Sequence, residues 1–234
     1  MAAVRLARAG ASVALFDHSH PREKPCGGGL TGRALELVED IIDVRTLPAV
    51  VVGSATVEGP DRVARVVLND RGKTPDSSLL VVSRTIFDRA MADAAVAAGA
   101  RFHAERAIDI VRKGARFLVH TNRGEHEVEQ VLGADGANSI VRKKLARPFE
   151  RAELSVAAGY FVHGATASAI AIKTMHDHPG YLWSFPRPDH LAVGICGAAV
   201  QHVSSTHLRA QSAAWLRTQR IRSAGCGICR GIAG

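Results

Sequence analysis

Val4 to Leu30 reads VRLARAGASVALFDHSHPREKPCGGGL, and the fold class turns on its first half. Leu6 and Ala7 lie on one side of a helical spacing and Arg5 and Arg8 on the other, with Gly10 placed to end the helix. Ala11 to Phe16 then reads as a short buried strand closed by Asp17. A helix, a Gly turn, an apolar strand and an acid at its tip make the second half of a dinucleotide-binding βαβ unit, in which the acid accepts hydrogen bonds from a ribose hydroxyl. Any αβ unit of a parallel sheet gives the same pattern, so Asp17 is a candidate cofactor ligand and no more.

The Gly-rich fingerprint of such a unit precedes its acid by about 20 residues. Counted back from Asp17, it falls at or before Met1. The expectation is therefore a unit without its first strand and phosphate-cradling turn, with Met1 inside the first helix.

Composition narrows the partners. The 234 residues carry 30 basic against 22 acidic side chains, a net charge of +8, and a pI near 9.9. The basic residues are spread along the chain with no long block, which argues against a nucleic-acid arm. The excess charge suits an anionic cofactor, an anionic head group or an acidic membrane surface. No signal peptide is apparent. Four cysteines (Cys26, Cys196, Cys226 and Cys229) are too few for a disulfide framework, so a reducing, cytoplasmic compartment is expected. Leu154 to Ile172 has no formal charge and is long enough to span a bilayer. Its serines, threonine, histidine and glycines make a poor span, and it reads as one or two buried strands.

Pro25 to Gly29, PCGGG, is a loop where backbone must come close to another group. Cys26 at its start is a proton donor or a small packing residue; a free thiol is mostly protonated at neutral pH. Thr31 to Val38 resumes a helix. Pro48 to Val82 is a block of antiparallel strands with turn signals at Gly59-Pro60, Asp70-Arg71-Gly72 and Pro75-Asp76. Thr85 with Asp88 resembles a capping box, and Phe87, Met91, Ala94, Ala95 and Ala98 form the apolar face of the helix that follows. Arg84 stands beside the N-terminus of that helix, where an anion is favoured. Arg101 to Leu132 reads as three short strands.

Leu132 to Arg142, LGADGANSIVR, predicts a strand ending in Asp135-Gly136 and a helix from about Asn138-Ser139. Gly136 admits a ligand to the backbone, the helix start welcomes phosphate, and Asp135 can accept a sugar hydroxyl. In Pro179 to Arg187, PGYLWSFPR, the residues Tyr181, Trp183 and Phe185 alternate, so a strand puts them on one face. They wall an apolar pocket or belong to a core. His176-Asp177-His178 lacks a second ligand pair and reads as a polar loop. Val203 to Thr218 is a helix with Leu208, Ala214 and Leu216 apolar, and Ser223 to Gly234 has no period and a lone Cys-x-x-Cys.

Taken together, KPCGGGL (Lys24 to Leu30), SRTIFD (Ser83 to Asp88), LGADGANSIVR, and PGYLWSFPR followed by DHLAVGICG resemble the geranylgeranyl reductase family over about residues 1 to 220. The resemblance implies an FAD-dependent oxidoreductase of the p-hydroxybenzoate hydroxylase-like fold. In α/β terms this is an incomplete Rossmann-like FAD-binding domain (1–47 and 83–147) interleaved with a β-rich substrate domain (48–82 and 148–222), with 223–234 an unstructured tail. A second, Gly-Asp-rich FAD segment that such proteins carry farther downstream is absent, which marks the sequence as resembling a fragment.

By the same resemblance, Asp17 holds the adenosine ribose, and Arg84, Asp135 and Gly136 lie against the rest of FAD. Cys26, Gly27 and Gly28 line the flavin face, with Cys26 the catalytic candidate, and Tyr181, Trp183 and Phe185 line a prenyl tunnel. No metal is implied. The implied reaction saturates isoprenoid double bonds, with NAD(P)H or another reductant as electron donor and an isoprenoid lipid or prenylated small molecule as partner. The implied setting is the cytoplasm, with a peripheral position at the inner face of the membrane as an option. Two alternatives accompany it: a flavin monooxygenase of the same fold, and a truncated product that does not bind FAD.

Overall fold

The protein was described from a computed structural model, which describes residues 1–68, 79–175, 179–199, 205–218 and 228–233. In chain order it begins with helix α1 (Ala2–Arg8), strands β1 (Ala14–Phe16) and β2 (Gly29–Leu30), and helix α2 (Gly32–Glu36). Strands β3 (Ala49–Val52), β4 (Ser54–Glu58), β5 (Val63–Val67) and β6 (Leu79–Val82) lead to helix α3 (Arg84–Ala97). Strands β7 (Arg101–His103), β8 (Ala107–Lys113), β9 (Arg116–Thr121) and β10 (Glu125–Val128) precede helix α4 (Ile140–Leu145). The rest is β11 (Ser155–His163), β12 (Ile170–Thr174), β13 (Gly180–Pro186), β14 (His190–Ala198), helix α5 (Ser205–Thr218) and β15 (Ile228–Ala233).

These elements form two compact units, Met1–His20 with Met91–Leu154, and Pro21–Ala90 with Ser155–Gly234. The PCGGG loop and the start of α3 thus group with the β-rich segments, whereas the expected boundaries at 47 and 82 put them with the other part of the chain.

In the first unit, α1 ends before Gly10, which has a φ of 85°. Its buried residue is Val4, while Leu6 is 38% exposed, so the apolar face is turned from the expected Leu6–Ala7 line. β1 pairs in parallel with β7, Ala14 opposite Arg101. Arg101 to Leu132, expected as three short strands, holds four. Arg101–His103 follows β1, and after Ala104 to Arg106 the chain enters an antiparallel meander in the order β10-β9-β8. The expected strand into Asp135-Gly136 is absent, and residues 129–138 run as irregular chain. The reason is local: Asp135 turns its carboxylate onto the N–H groups of Ile140 and Val141, a cap that calls for a turn rather than a strand. Ser139 adds a second cap on Arg142 N–H.

The second unit is built on a seven-stranded sheet in the order β15-β11-β14-β13-β12-β4-β5. All neighbours are antiparallel except β4 and β12, which run in parallel. Leu154–Ile172 accordingly supplies strands β11 and β12, and no helix among the described residues is long and apolar enough to cross a membrane. Helix α5 packs on β11 and β14. Its buried residues there are Ser212 and Trp215, with Trp215 joining Ala158, Val162, Leu182, Leu191, Val193 and Ile195 in one core. Ala214, expected on the apolar face, is exposed because Trp215, one position on, takes the core direction. A second, three-stranded sheet has the order β2-β6-β3, so the last glycine of PCGGG is already paired strand, Gly29 opposite Val81.

The tail is corrected in part. Ile228–Ala233 is not unstructured but pairs antiparallel with β11. The outer edge of β11 presents unpaired backbone groups that an extended segment can satisfy. His176, Asp177, His178, the turn at Asp70 to Gly72, Pro75-Asp76 and Cys226 lie outside the described residues.

Candidate functional site

The second unit brings the PCGGG loop, the start of α3 and the β13 strand together. The loop lies close on protein groups. A Cβ at Gly27 would sit 2.7 Å from the Phe185 ring. Gly28, at a φ of 77°, would drive a Cβ into the Val82 carbonyl and to 2.7 Å from the Arg187 guanidinium. Only glycine meets both the left-handed backbone and the close approach.

Arg187 anchors this loop. Its side chain is fully buried, donates through Nη1 to the Val82 carbonyl and through Nη2 to the Cys26 carbonyl at 3.1 Å, and lies 3.4 Å from Glu23 Oε1. Burial pushes its pKa down, and the Glu23 charge pulls it back up. Glu23 in turn occupies the N-terminus of α3. Its carboxylate accepts from the N–H groups of Arg84 (2.9 Å) and Thr85 (3.3 Å) and from the Ser83 and Thr85 hydroxyls. Burial tends to raise the pKa of Glu23, but these hydrogen bonds and Arg187 hold it below the usual carboxylate range. The anion favoured at this helix start is thus a side chain of the protein itself.

The expected Thr85–Asp88 capping box does not form. Glu23 takes the cap, and Asp88 pairs with Arg84 at 2.9 and 3.0 Å and with Lys24 at 2.6 Å. Burial acts to raise the Asp88 pKa, but those two cations win and lower it. Arg84 also reaches Cys26, Nη1 to Sγ 3.6 Å, and Gly28 N–H donates to the same sulfur at 3.3 Å. Arg84 and Cys26 therefore stand together as expected candidates. Glu23, Lys24 and Arg187 belong to the same cluster, although none was a candidate in the sequence. Arg187 ends an apolar run and Glu23-Lys24 opens the PCGGG segment, which is the signal that was available.

A pH dependence follows. Carboxylates with lowered folded pKa values stabilise the fold above their ordinary values, here 4.5 for Glu23 and 3.8 for Asp88. That stability is lost as pH falls through the lowered values. The melting temperature should therefore drop as pH falls below about 4.5. Glu23→Gln should start lower at pH 7 and fall less steeply, as read by circular dichroism; parallel curves for the two proteins would contradict this assignment.

The aromatic stripe is on one face of β13 but meets three environments. Tyr181 is 43% exposed. Phe185 is half-buried and packs with Val52, Ala55, Val81 and Ile170. Trp183 is buried, lying flat over β11 and β14. A Cβ at Gly194 would fall inside its ring, and one at Gly159 would touch it at 3.2 Å. Trp183 and Cys26 help line one cavity with Pro25, Tyr160, Phe161 and Ala192. Its free volume of about 10 Å³ takes one water-sized sphere and no isoprenoid chain.

The first unit holds the other candidates. Asp17 follows β1, its N–H donating to the His103 carbonyl at 3.1 Å, and its Oδ1 accepts from Ser19 N–H (2.9 Å) and Ser19 Oγ (3.0 Å). Asp135 caps α4 as described. Burial raises its pKa, but the Ser139 and backbone hydrogen bonds prevail and lower it.

Comparison with known proteins shows the family and the fold. A family model described as FAD binding domain matches residues 1–221. The chain is 30% identical over 162 residues to a digeranylgeranylglycerophospholipid reductase of Methanothrix thermoacetophila, covering 63% of this chain and 41% of the relative. It is 26% identical over 208 residues to a kynurenine 3-monooxygenase of Flavobacterium johnsoniae, covering 82% and 45%. A crystal structure of a geranylgeranyl bacteriochlorophyll reductase-like protein from Thermoplasma acidophilum shares the fold at a TM-score of 0.81. It is 19% identical and covers 100% of this chain and 62% of that one. The chain spans about half the length of the curated relatives it matches.

The residues suit FAD unevenly. At Gly136 the φ is 78° and an added Cβ would meet nothing within 4 Å, so a sugar or phosphate oxygen can approach the backbone. At Gly27 and Gly28 the corresponding space is filled by Phe185, Val82 and Arg187. The Asp-Gly turn fits a bound cofactor; the Gly-rich loop is shaped by its own protein.

Proposed function

The chain belongs to the FAD binding domain family, and from that premise we propose that it serves an FAD-dependent reductase that saturates isoprenoid double bonds. The observation that carries this reading is the family match over residues 1–221 together with the Asp135-Gly136 turn, where the open space at Gly136 leaves room for a cofactor oxygen. The relative named digeranylgeranylglycerophospholipid reductase supports the substrate class.

When bound, FAD supplies the hydride chemistry. The protein's own groups have narrower tasks. Asp17 would accept from the ribose, and Asp135 with Gly136 would shape the turn that the cofactor approaches. Arg84 and the Gly28 N–H fix the Cys26 sulfur, from which a proton could be donated to the alkene carbon that does not take the hydride. Tyr181, the exposed member of the aromatic stripe, would offer its ring to the prenyl chain, and the basic surplus suits an anionic head group near a membrane surface. NAD(P)H or a comparable reductant is the electron source.

The test is to purify the 234-residue chain, measure its visible spectrum and flavin content, and supply reduced FAD with a geranylgeranyl lipid. A product gaining two hydrogens per double bond supports the reading. A hydroxylated product formed with oxygen points to the monooxygenase alternative. A colourless protein that takes up no FAD sinks it for this chain. In a flavin-loaded preparation, Cys26→Ala should lower turnover and leave flavin content nearly intact; an unchanged rate leaves Cys26 a packing role.

A further inference from the structure

We infer that His103, Glu105 and His126 in the first unit form a binding site for a divalent transition-metal ion of the zinc type. One ligand atom from each lies within 4.8 Å of the others. Glu105 sits between the histidines, Oε1 at 3.5 Å from His103 Nδ1 and Oε2 at 3.1 Å from His126 Nε2. Two imidazoles and one carboxylate are a zinc ligand set that leaves a position open for water.

The three side chains are held in place by their surroundings. Phe16 stacks on the His103 ring, centroids 4.9 Å apart at 22°, and meets the His126 ring edge-on at 4.8 Å. Thr121 Oγ1 donates to Glu105 Oε2 at 2.6 Å, the type of outer hydrogen bond that orients a ligating carboxylate. His103 closes β7 and His126 lies on β10, so two different sheets fix the imidazoles. All three side chains are mostly buried yet reach solvent, at 26%, 14% and 27% exposure, which gives an ion a way in. The other such cluster among the described residues, His163, Asp189 and His190, is more open to solvent, with His163 and Asp189 exposed.

The site has a structural meaning for its neighbour. The His103 carbonyl accepts the Asp17 N–H, so an ion on His103 ties down the turn that carries the acid at the end of β1.

The test uses the full chain and Co2+ or Zn2+ as probe. Wild type should bind one equivalent of Co2+ with visible bands of a low-coordinate site, displaced by Zn2+, and Zn2+ should raise its melting temperature. Glu105→Gln and His126→Gln should lose both effects, while His163→Gln should keep them. X-ray absorption of zinc-loaded wild type provides a reading that needs no variant: two imidazoles and oxygen at about 2.0–2.2 Å are expected. No binding by wild type overturns the proposal. So do sulfur ligands in the absorption spectrum, or bands that survive in Glu105→Gln and vanish in His163→Gln.

Discussion

Arg187→Met is expected to cost about 3–5 kcal/mol, since it removes one partner of a buried ion pair and leaves Glu23 without its charge partner. The whole net stability of a domain is about 5–15 kcal/mol, so this single change removes a large share of it. The size of the effect comes from the wiring around the guanidinium. It is fully buried, and its donors go to the Val82 and Cys26 carbonyls, which lose them together. Its Nε has no partner within the described structure, so the pair is not ideally satisfied. Because Glu23→Gln removes the carboxylate charge that Arg187→Met leaves unpaired, the double variant should recover part of the loss. Urea midpoints of the four proteins of the cycle give the coupling. A loss under about 1 kcal/mol for Arg187→Met, the range of exposed pairs, would show that this arginine does not anchor the loop.

Trp183→Ala should cost a similar amount, about 3–5 kcal/mol, as for other buried aromatic residues. Its ring fills the space that two glycines leave over the sheet, and truncation opens a void bounded by backbone that cannot collapse inward. Gly194→Ala, the converse change, should destabilise by at least about 1–3 kcal/mol through overpacking, because its methyl group must share the volume of the indole. Combining the two should relieve much of that second cost. The same variant judges the substrate reading. If a prenyl chain rests on Trp183, KM for a geranylgeranyl substrate rises and the melting temperature falls less than core truncation predicts. A full stability loss with an unchanged KM assigns Trp183 to the core alone.

Sequence periodicity was a good guide where the information is local. The helix before Gly10 (though not its apolar face), the last three residues of the strand before Asp17 (half-buried where a buried Ala11–Phe16 was expected), the apolar face of α3 and the two strands hidden in Leu154–Ile172 follow from spacing. It failed where a distant group takes over a local task. Thr85 and Asp88 have capping-box spacing, yet the cap comes from Glu23, 61 residues from Arg84 in the chain. Asp88 is then free to bind Arg84 and Lys24. The strand expected before Asp135 was lost to a cap made by Asp135 itself. The glycines of PCGGG were legible as a place of close approach, but not what approaches: Phe185 and Arg187 come from a strand that spacing alone cannot bring to them. His103, Glu105 and His126 carry no motif, since the third ligand joins the first two only through the meander.

The parallel contact of β4 with β12 also sets a timetable. Glu58 and Lys173, bound across it at 2.5 Å, are 115 residues apart in the chain. On a ribosome adding about 5–20 residues per second, β4 waits on the order of 10 s for its neighbour. During that interval the β4–β5 hairpin has an open flank. Val63, Val66 and Val67 are 66%, 44% and 68% exposed even in the finished fold. The late partner is that of β4, and the apolar strand is β5, the outer strand of the sheet beside it; a hairpin open on one flank for so long and apolar on the other invites pairing with another nascent chain. Yield of this protein should therefore depend on synthesis rate and chaperone supply more than its final stability suggests.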